Sequence, residues 1–152
     1  RFMDAIGLQD PKAQTDILIK ELEFSKNIFL FPEEKETLLE LSRRGYRLGM
    51  ITNSYQSAAE KASWFREIGL YCIADNIVSS IDVGVSKPDS RIYIEFARRV
   101  GFEPKEIAFV GHEEAELQGA HAAGMLPISF NCEDNVRQKL HLQKFSDLLY
   151  FF

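Results

Sequence analysis

The sequence predicts an α/β fold, a parallel sheet with flanking helices, and three observations predict it. Short runs of Ile, Val, Leu and Phe recur along the chain, longer amphipathic segments alternate with them, and glycine closes most of those segments, at Gly45, Gly69, Gly101 and Gly124. Strand and helix signals in alternation imply parallel βαβ units with right-handed crossovers.

Asp10-Pro11 places a cap residue before proline at the first helical position, and Ile17, Leu18 and Leu22 give an apolar face, so residues 11–25 read as a helix. Residues 27–31 are a short apolar run ended by Pro32. Residues 33–44 read as a second helix, with Leu38, Leu39 and Leu41 inward and Gly45 as its stop. Residues 47–52 (RLGMIT) read as a buried strand, 57–68 as a helix and 76–80 (NIVSS) as a short strand. Residues 89–100 form a strong helix, because Ile92, Phe96 and Val100 recur on one face before Gly101. Residues 107–110 (IAFV) are a strand, 113–123 a helix, 126–130 a strand and 145–149 a last helical turn.

With 152 residues, a net charge of -5, 45% apolar and 27% charged residues, the chain has the make-up of one soluble globular domain. Arginines come in isolated pairs, Arg43-Arg44 and Arg98-Arg99, so a basic footprint for nucleic acid is absent. No apolar run approaches the ~20 residues that span a bilayer, and no secretory signal pattern is present. Cys72 and Cys132 have no cysteine or histidine at metal spacing and read as free thiols in a reducing, cytoplasmic setting. The chain opens on Arg1, not Met, and is expected to be part of a longer polypeptide.

In parallel sheets of this kind the ligand crevice lies beyond the C-terminal strand ends. Thr52, Asn53 and Ser54 follow the first strand; taken alone they fit helix capping as well as phosphate binding. Lys87-Pro88 precedes the helix at Asp89, where a lysine either offsets a carboxylate or phosphoryl group or is merely solvated. After the strand ending at Val110 come Gly111, His112, Glu113, Glu114 and Glu116. The carboxylates suit either a Mg²⁺ ion held through one or two of them or the favourable end of a helix dipole.

Taken together, these motifs in this order resemble the haloacid dehalogenase-like (HAD) superfamily. Met50-Ile51-Thr52-Asn53 matches its second motif and Lys87-Pro88-Asp89 its third. Phe109-Val110-Gly111-His112-Glu113-Glu114-Ala115-Glu116, followed by Gly119-Ala120-His121-Ala122-Ala123-Gly124-Met125, resembles its fourth. Phe31-Pro32 and Val78-Ser79-Ser80 match the flanks. The likeness runs from about residue 28 to residue 149, so residues 28–152 are expected to be an incomplete HAD-like Rossmannoid core and 1–27 the remnant of a helical cap.

The resemblance implies a phosphatase acting on a small organic phosphate through an aspartyl-phosphate. Thr52, Asn53 and Ser54 would bind the phosphoryl group, with Thr52, Asn53 and Lys87 as the catalytic set. Glu116, with Glu113 or Glu114 and His112 beside it, would hold Mg²⁺. Two departures stand out. The family's Asp-x-Asp nucleophile motif belongs ahead of the cap, hence ahead of Arg1, and no aspartate here has another two residues on. Asp82, after an apolar strand, is its nearest mimic, but Gly84 stands where the acid/base would be. His112 replaces the first metal-associated Asp, and histidine is a poor Mg²⁺ ligand. His121 and His141 read as surface or helix-packing residues.

The strand carrying the nucleophile lies mid-sheet in this family, between the strands of the second and fourth motifs. Without it those two strands expose unpaired edges. An N-terminal fragment, a second copy or a rearranged strand order is expected to close the gap. By itself the chain is expected to be inactive. The alternatives are a catalytically degenerate binding module and a haloacid dehalogenase, which works without Mg²⁺.

Overall fold

The computed structural model describes Leu30 and residues 33–152. The expected helix at 11–25 and the cap remnant at 1–27 lie outside these residues, as does nearly all of the run at 27–31. Helix α1 (Glu34–Arg43) leads into strand β1 (Met50–Thr52), and α2 (Ala58–Glu67) and a short α3 (Tyr71–Ala74) follow. Strand β2 (Ile77–Ser79) passes directly into α4 (Ser80–Val83), then α5 (Ser90–Val100), β3 (Ala108–Gly111), α6 (Glu114–Ala122) and β4 (Leu126–Phe130). A two-residue β5 (His141–Leu142) and α7 (Leu148–Phe151) close the chain.

All strand pairs are parallel, in two groups: β1 beside β2, with Thr52 opposite Ser79, and β3-β4-β5, with Gly111 opposite Ser129. Alternate strand residues face opposite layers. Val78 and Phe109 join Ile92, Tyr93, Phe96, Leu117 and Ala120 in a core beneath α5 and α6. Ile77 packs with Ala62, Phe65 and Ile73 under α2 and α3, while Ile128 and Leu142 pack with Leu41 and Leu148 under α1 and α7. The result is three layers. The two strand groups share the α5–α6 layer, yet among the described residues β1 and β3 do not pair with each other. Among the described residues the strands therefore have not closed up into a rearranged order, and no strand pairs with the outer edges of β1 and β3, which leaves a gap between the two groups.

Helix boundaries fall where the local chemistry puts them. Ser57 caps α2 in a reciprocal box with Glu60, its backbone N–H donating to Glu60 Oε2 at 2.8 Å. Asp89 caps α5 by accepting from the Arg91 N–H at 2.9 Å, and Gly101, at φ 75°, ends it in the left-handed region. The Lys87-Pro88 peptide is cis.

Three features differ from the sequence reading. Only Met50–Thr52 of the 47–52 run is strand, because Asn76 donates its side-chain amide to the Leu48 carbonyl at 2.8 Å in place of a neighbouring strand. Residues 80–83 form a helical turn, and Asp82 accepts the Ala58 N–H at 2.7 Å, which makes it a support for the start of α2. His141 sits on β5 with Nδ1 3.0 Å from Ser129 Oγ; two paired residues are too few to leave a periodic signal.

Candidate active site

Three elements bring the motif residues together at the C-terminal ends of the strands. Asn53 leaves β1 and clasps the lysine segment at both backbone polar groups: its Nδ2 donates to the Lys87 carbonyl at 3.1 Å, and its Oδ1 accepts the Lys87 N–H at 2.8 Å. With its backbone so fixed, Lys87 sends Nζ to Glu116 Oε2 at 2.9 Å. The chain Asn53–Lys87–Glu116 thus links the ends of β1, the α5 approach and the first turn of α6, across the gap between the strand groups.

An aromatic floor supports the ion pair. Lys87 Nζ lies 5.7 Å from the Phe109 ring centroid, within cation–π range. Tyr93 meets Phe109 edge-on at 5.2 Å and donates its hydroxyl to the Glu116 carbonyl oxygen at 2.8 Å. Burial, and then the Glu116 charge, push the Tyr93 hydroxyl well above its usual titration range, so it stays a donor. Gly119 of α6 is needed for this approach, because a Cβ there would run into the Pro88 carbonyl oxygen.

The remaining residues divide. Thr52, half-buried, ends β1. The Ser54 backbone N–H donates to Ser80 Oγ at 3.0 Å, which fixes the loop after β1 to the start of α4. His112 and Glu113 do not join Lys87 and Glu116; they face each other at 3.7 Å with about three-fifths of each side chain in solvent (62% and 61%). Glu114 accepts from Gln118 Nε2 at 2.9 Å on the outer face of α6. Sequence reading missed Tyr93, Gly119, Ser80 and Asp82 as supports. Ser80 stood in the Val78-Ser79-Ser80 flank, Gly119 in the run that resembles the fourth motif and Asp82 as the nearest mimic of the nucleophile, none of them as a support, and Tyr93 read as an ordinary helix residue.

The donor set does not fit Mg²⁺ as it stands. Glu116 is engaged by an ammonium, His112 is a nitrogen ligand on an exposed turn, and among the described residues no three His, Cys, Asp or Glu side chains are grouped to hold a metal. The site holds one lysine ammonium of limited solvent access, paired with Glu116, and the half-buried Thr52 at the end of β1; the Asn53 side-chain amide is engaged by the Lys87 backbone, and the Ser54 hydroxyl donates to Gln56 Oε1 at 2.5 Å.

A family model of haloacid dehalogenase-like hydrolases matches residues 3–124, and the chain belongs to that family. It is 34% identical over 115 residues to a glyceraldehyde 3-phosphate phosphatase of Methanothermobacter thermautotrophicus, covering 75% of this chain and 50% of that protein. It is 29% identical over 128 residues to (S)-2-haloacid dehalogenase 4A of Burkholderia cepacia, covering 84% of this chain and 53% of that one. Among solved structures it superposes on a dehalogenase with an intermediate complex at a TM-score of 0.76, 25% identical, covering 99% of this chain and 67% of the other. The chain spans about half the length of the curated relatives it matches.

Proposed function

We propose that this chain supplies the phosphoryl-binding side of a phosphatase that hydrolyses a small organic phosphate through an aspartyl-phosphate. The observation that carries the reading is the Asn53–Lys87–Glu116 chain of bonds, which holds one ammonium beside the gap between β1 and β3. Thr52, Asn53 and Ser54 bind phosphoryl oxygens, and Lys87 offsets the charge of nucleophile and phosphate. The aspartate arrives on a strand seated in the gap, from an N-terminal segment or a second copy. Glu116 or Glu113 would hold Mg²⁺ only if that strand brought a further carboxylate. In this reading residues 28–152 are the core and 1–27 the remnant of a cap. The setting is cytoplasmic, which suits the free thiols Cys72 and Cys132. Among the described residues no helix is long and apolar enough to cross a membrane.

Calorimetric titration of the chain with inorganic phosphate tests the site: binding that Lys87→Ala abolishes supports it, and binding indifferent to Lys87 overturns it. A second reading, a binding module without turnover, draws on Glu116 being tied to Lys87 and on His112 in the metal-site position. Phosphate release from glyceraldehyde 3-phosphate or phosphoglycolate, once the gap is filled, separates the two.

A further inference from the structure

The loop that follows Thr52 carries a large aromatic side chain almost wholly in water, Tyr55 at 94% exposure, and Ile81 nearby is 56% exposed. The backbone on either side of Tyr55 is nevertheless pinned. The Ser54 N–H donates to Ser80 Oγ at 3.0 Å, Ser80 Oγ donates in turn to the Ser54 carbonyl at 3.3 Å, and Ser79 Oγ donates to the Gln56 carbonyl at 2.6 Å. Asp82 Oδ2 accepts the Ala58 N–H at 2.7 Å just beyond. These bonds tie the 53–58 loop to residues 79–82, the segment that presents Ile81. Tyr55 therefore stands on a fixed backbone, three positions in sequence from Thr52 and two from the Asn53 clasp on Lys87, and the same bonds hold the segment that carries Ile81 against this loop.

A rigidly mounted aromatic with two side-chain torsions makes a low-entropy contact surface. We propose that Tyr55 is a specificity residue that receives the leaving group of the phosphate ester, selecting esters whose organic part offers an aromatic or C–H-rich face. The proposal rests on the phosphoryl-site reading of Thr52, Asn53 and Lys87. The phosphoryl group is held by the polar residues, and the ring packs against the carbon skeleton attached to the ester oxygen.

The test compares two probes on the same purified chain, inorganic phosphate and phenyl phosphate, by calorimetry and by amide shifts. Phenyl phosphate is expected to bind about fivefold to tenfold more tightly, the range of an aromatic contact. That ratio is expected to fall to about one in Tyr55→Ala and to persist in Tyr55→Phe, which keeps the ring. If phosphate binds and the ratio is already near one, or survives Tyr55→Ala, the role of Tyr55 is overturned while the phosphoryl site stands. If neither probe binds, the phosphoryl-site reading itself fails and takes this role with it.

Discussion

Lys87 Nζ lies 2.9 Å from Glu116 Oε2, and the two side chains retain only 12% and 11% of their exposure. An ion pair so withdrawn from water is strongly asymmetric in what its removal does. Losing one partner strands the other, whereas losing both removes the desolvation problem along with the attraction. Lys87→Met is expected to destabilise the fold by about 2 kcal/mol, below the full penalty for a deeply buried charge because some water remains. Lys87→Met with Glu116→Gln is expected to recover at least half of that. Urea unfolding of the two single variants and the double measures the coupling, and simple additivity would show that the pair is not a unit.

Asn53 acts on the same lysine through its backbone, with bonds of 2.8 and 3.1 Å to the Lys87 N–H and carbonyl. Asn53→Ala is expected to speed hydrogen exchange at the Lys87 amide and to weaken phosphate binding about tenfold, the loss of roughly one charge-assisted contact. Asn53→Asp keeps the acceptor for the Lys87 N–H but sets a carboxylate oxygen against the Lys87 carbonyl, and should bind phosphate worse still. Equal phosphate affinity in all three proteins would show that the clasp does not place the ammonium.

Gly119 tests the packing behind the site. A methyl there meets Pro88 backbone, which has no flexible end to move aside. Gly119→Ala is expected to lose about 2 kcal/mol or more despite its better helix propensity, as overpacking does. A gain in stability would mean that α6 and the Lys87-Pro88 segment are not in contact.

Glu95 gives a pH dependence with a definite sign. Hydrogen bonds from Arg98, then from Arg99, hold its carboxyl down to about 2, against an ordinary value of 4.5. A lowered folded-state value means that the stabilisation is present above about pH 4.5 and is lost as pH falls towards 2. Arg98 is largely exposed, so the contribution is expected to be on the order of 0.5 kcal/mol. Stability curves of wild type and Glu95→Gln should differ near pH 6 and converge near pH 2; a constant offset would contradict the pairing.

The sequence makes the layered fold legible because Ile92, Phe96 and Val100 mark α5 by helical spacing and the strands come as dense apolar runs. The meeting of Asn53, Lys87 and Glu116 was legible as well, from motif order and strand-end position. The supports were not. Tyr93 serves Glu116 through a backbone carbonyl, which any residue type presents, and Gly119 serves Pro88 by the absence of a side chain. Tyr93 leaves no mark in spacing or charge, and Gly119, though it opens the run that resembles the fourth motif, gives no sign in sequence of what it faces. The metal expectation rested on the likeness of the acidic run to the family's fourth motif, and the structure divides its carboxylates: Glu116 turns in to Lys87, while Glu113 and Glu114 face out.

The gap between the strand groups makes its own prediction, residue by residue. The Met50 N–H donates to the Asn76 carbonyl and the Leu126 N–H to the Ile107 carbonyl. In a parallel ladder successive residues direct their N–H groups to opposite edges. The amides of Ile51, Ala108 and Val110 therefore point away from β2 and β4, towards the gap, while those of Met50 and Phe109 are used within the groups. In the chain alone, hydrogen exchange is expected to be orders of magnitude faster at Ile51, Ala108 and Val110 than at Met50 and Phe109, since unpaired edge amides open without unfolding. Adding a polypeptide that seats a strand there should slow these three together and raise the melting temperature. Native mass spectrometry then reads whether the occupant is a second copy or a different polypeptide. Slow exchange at all three amides in a monomer of this chain would mean that the gap is already closed, and the proposal of a nucleophile arriving on an inserted strand would fall.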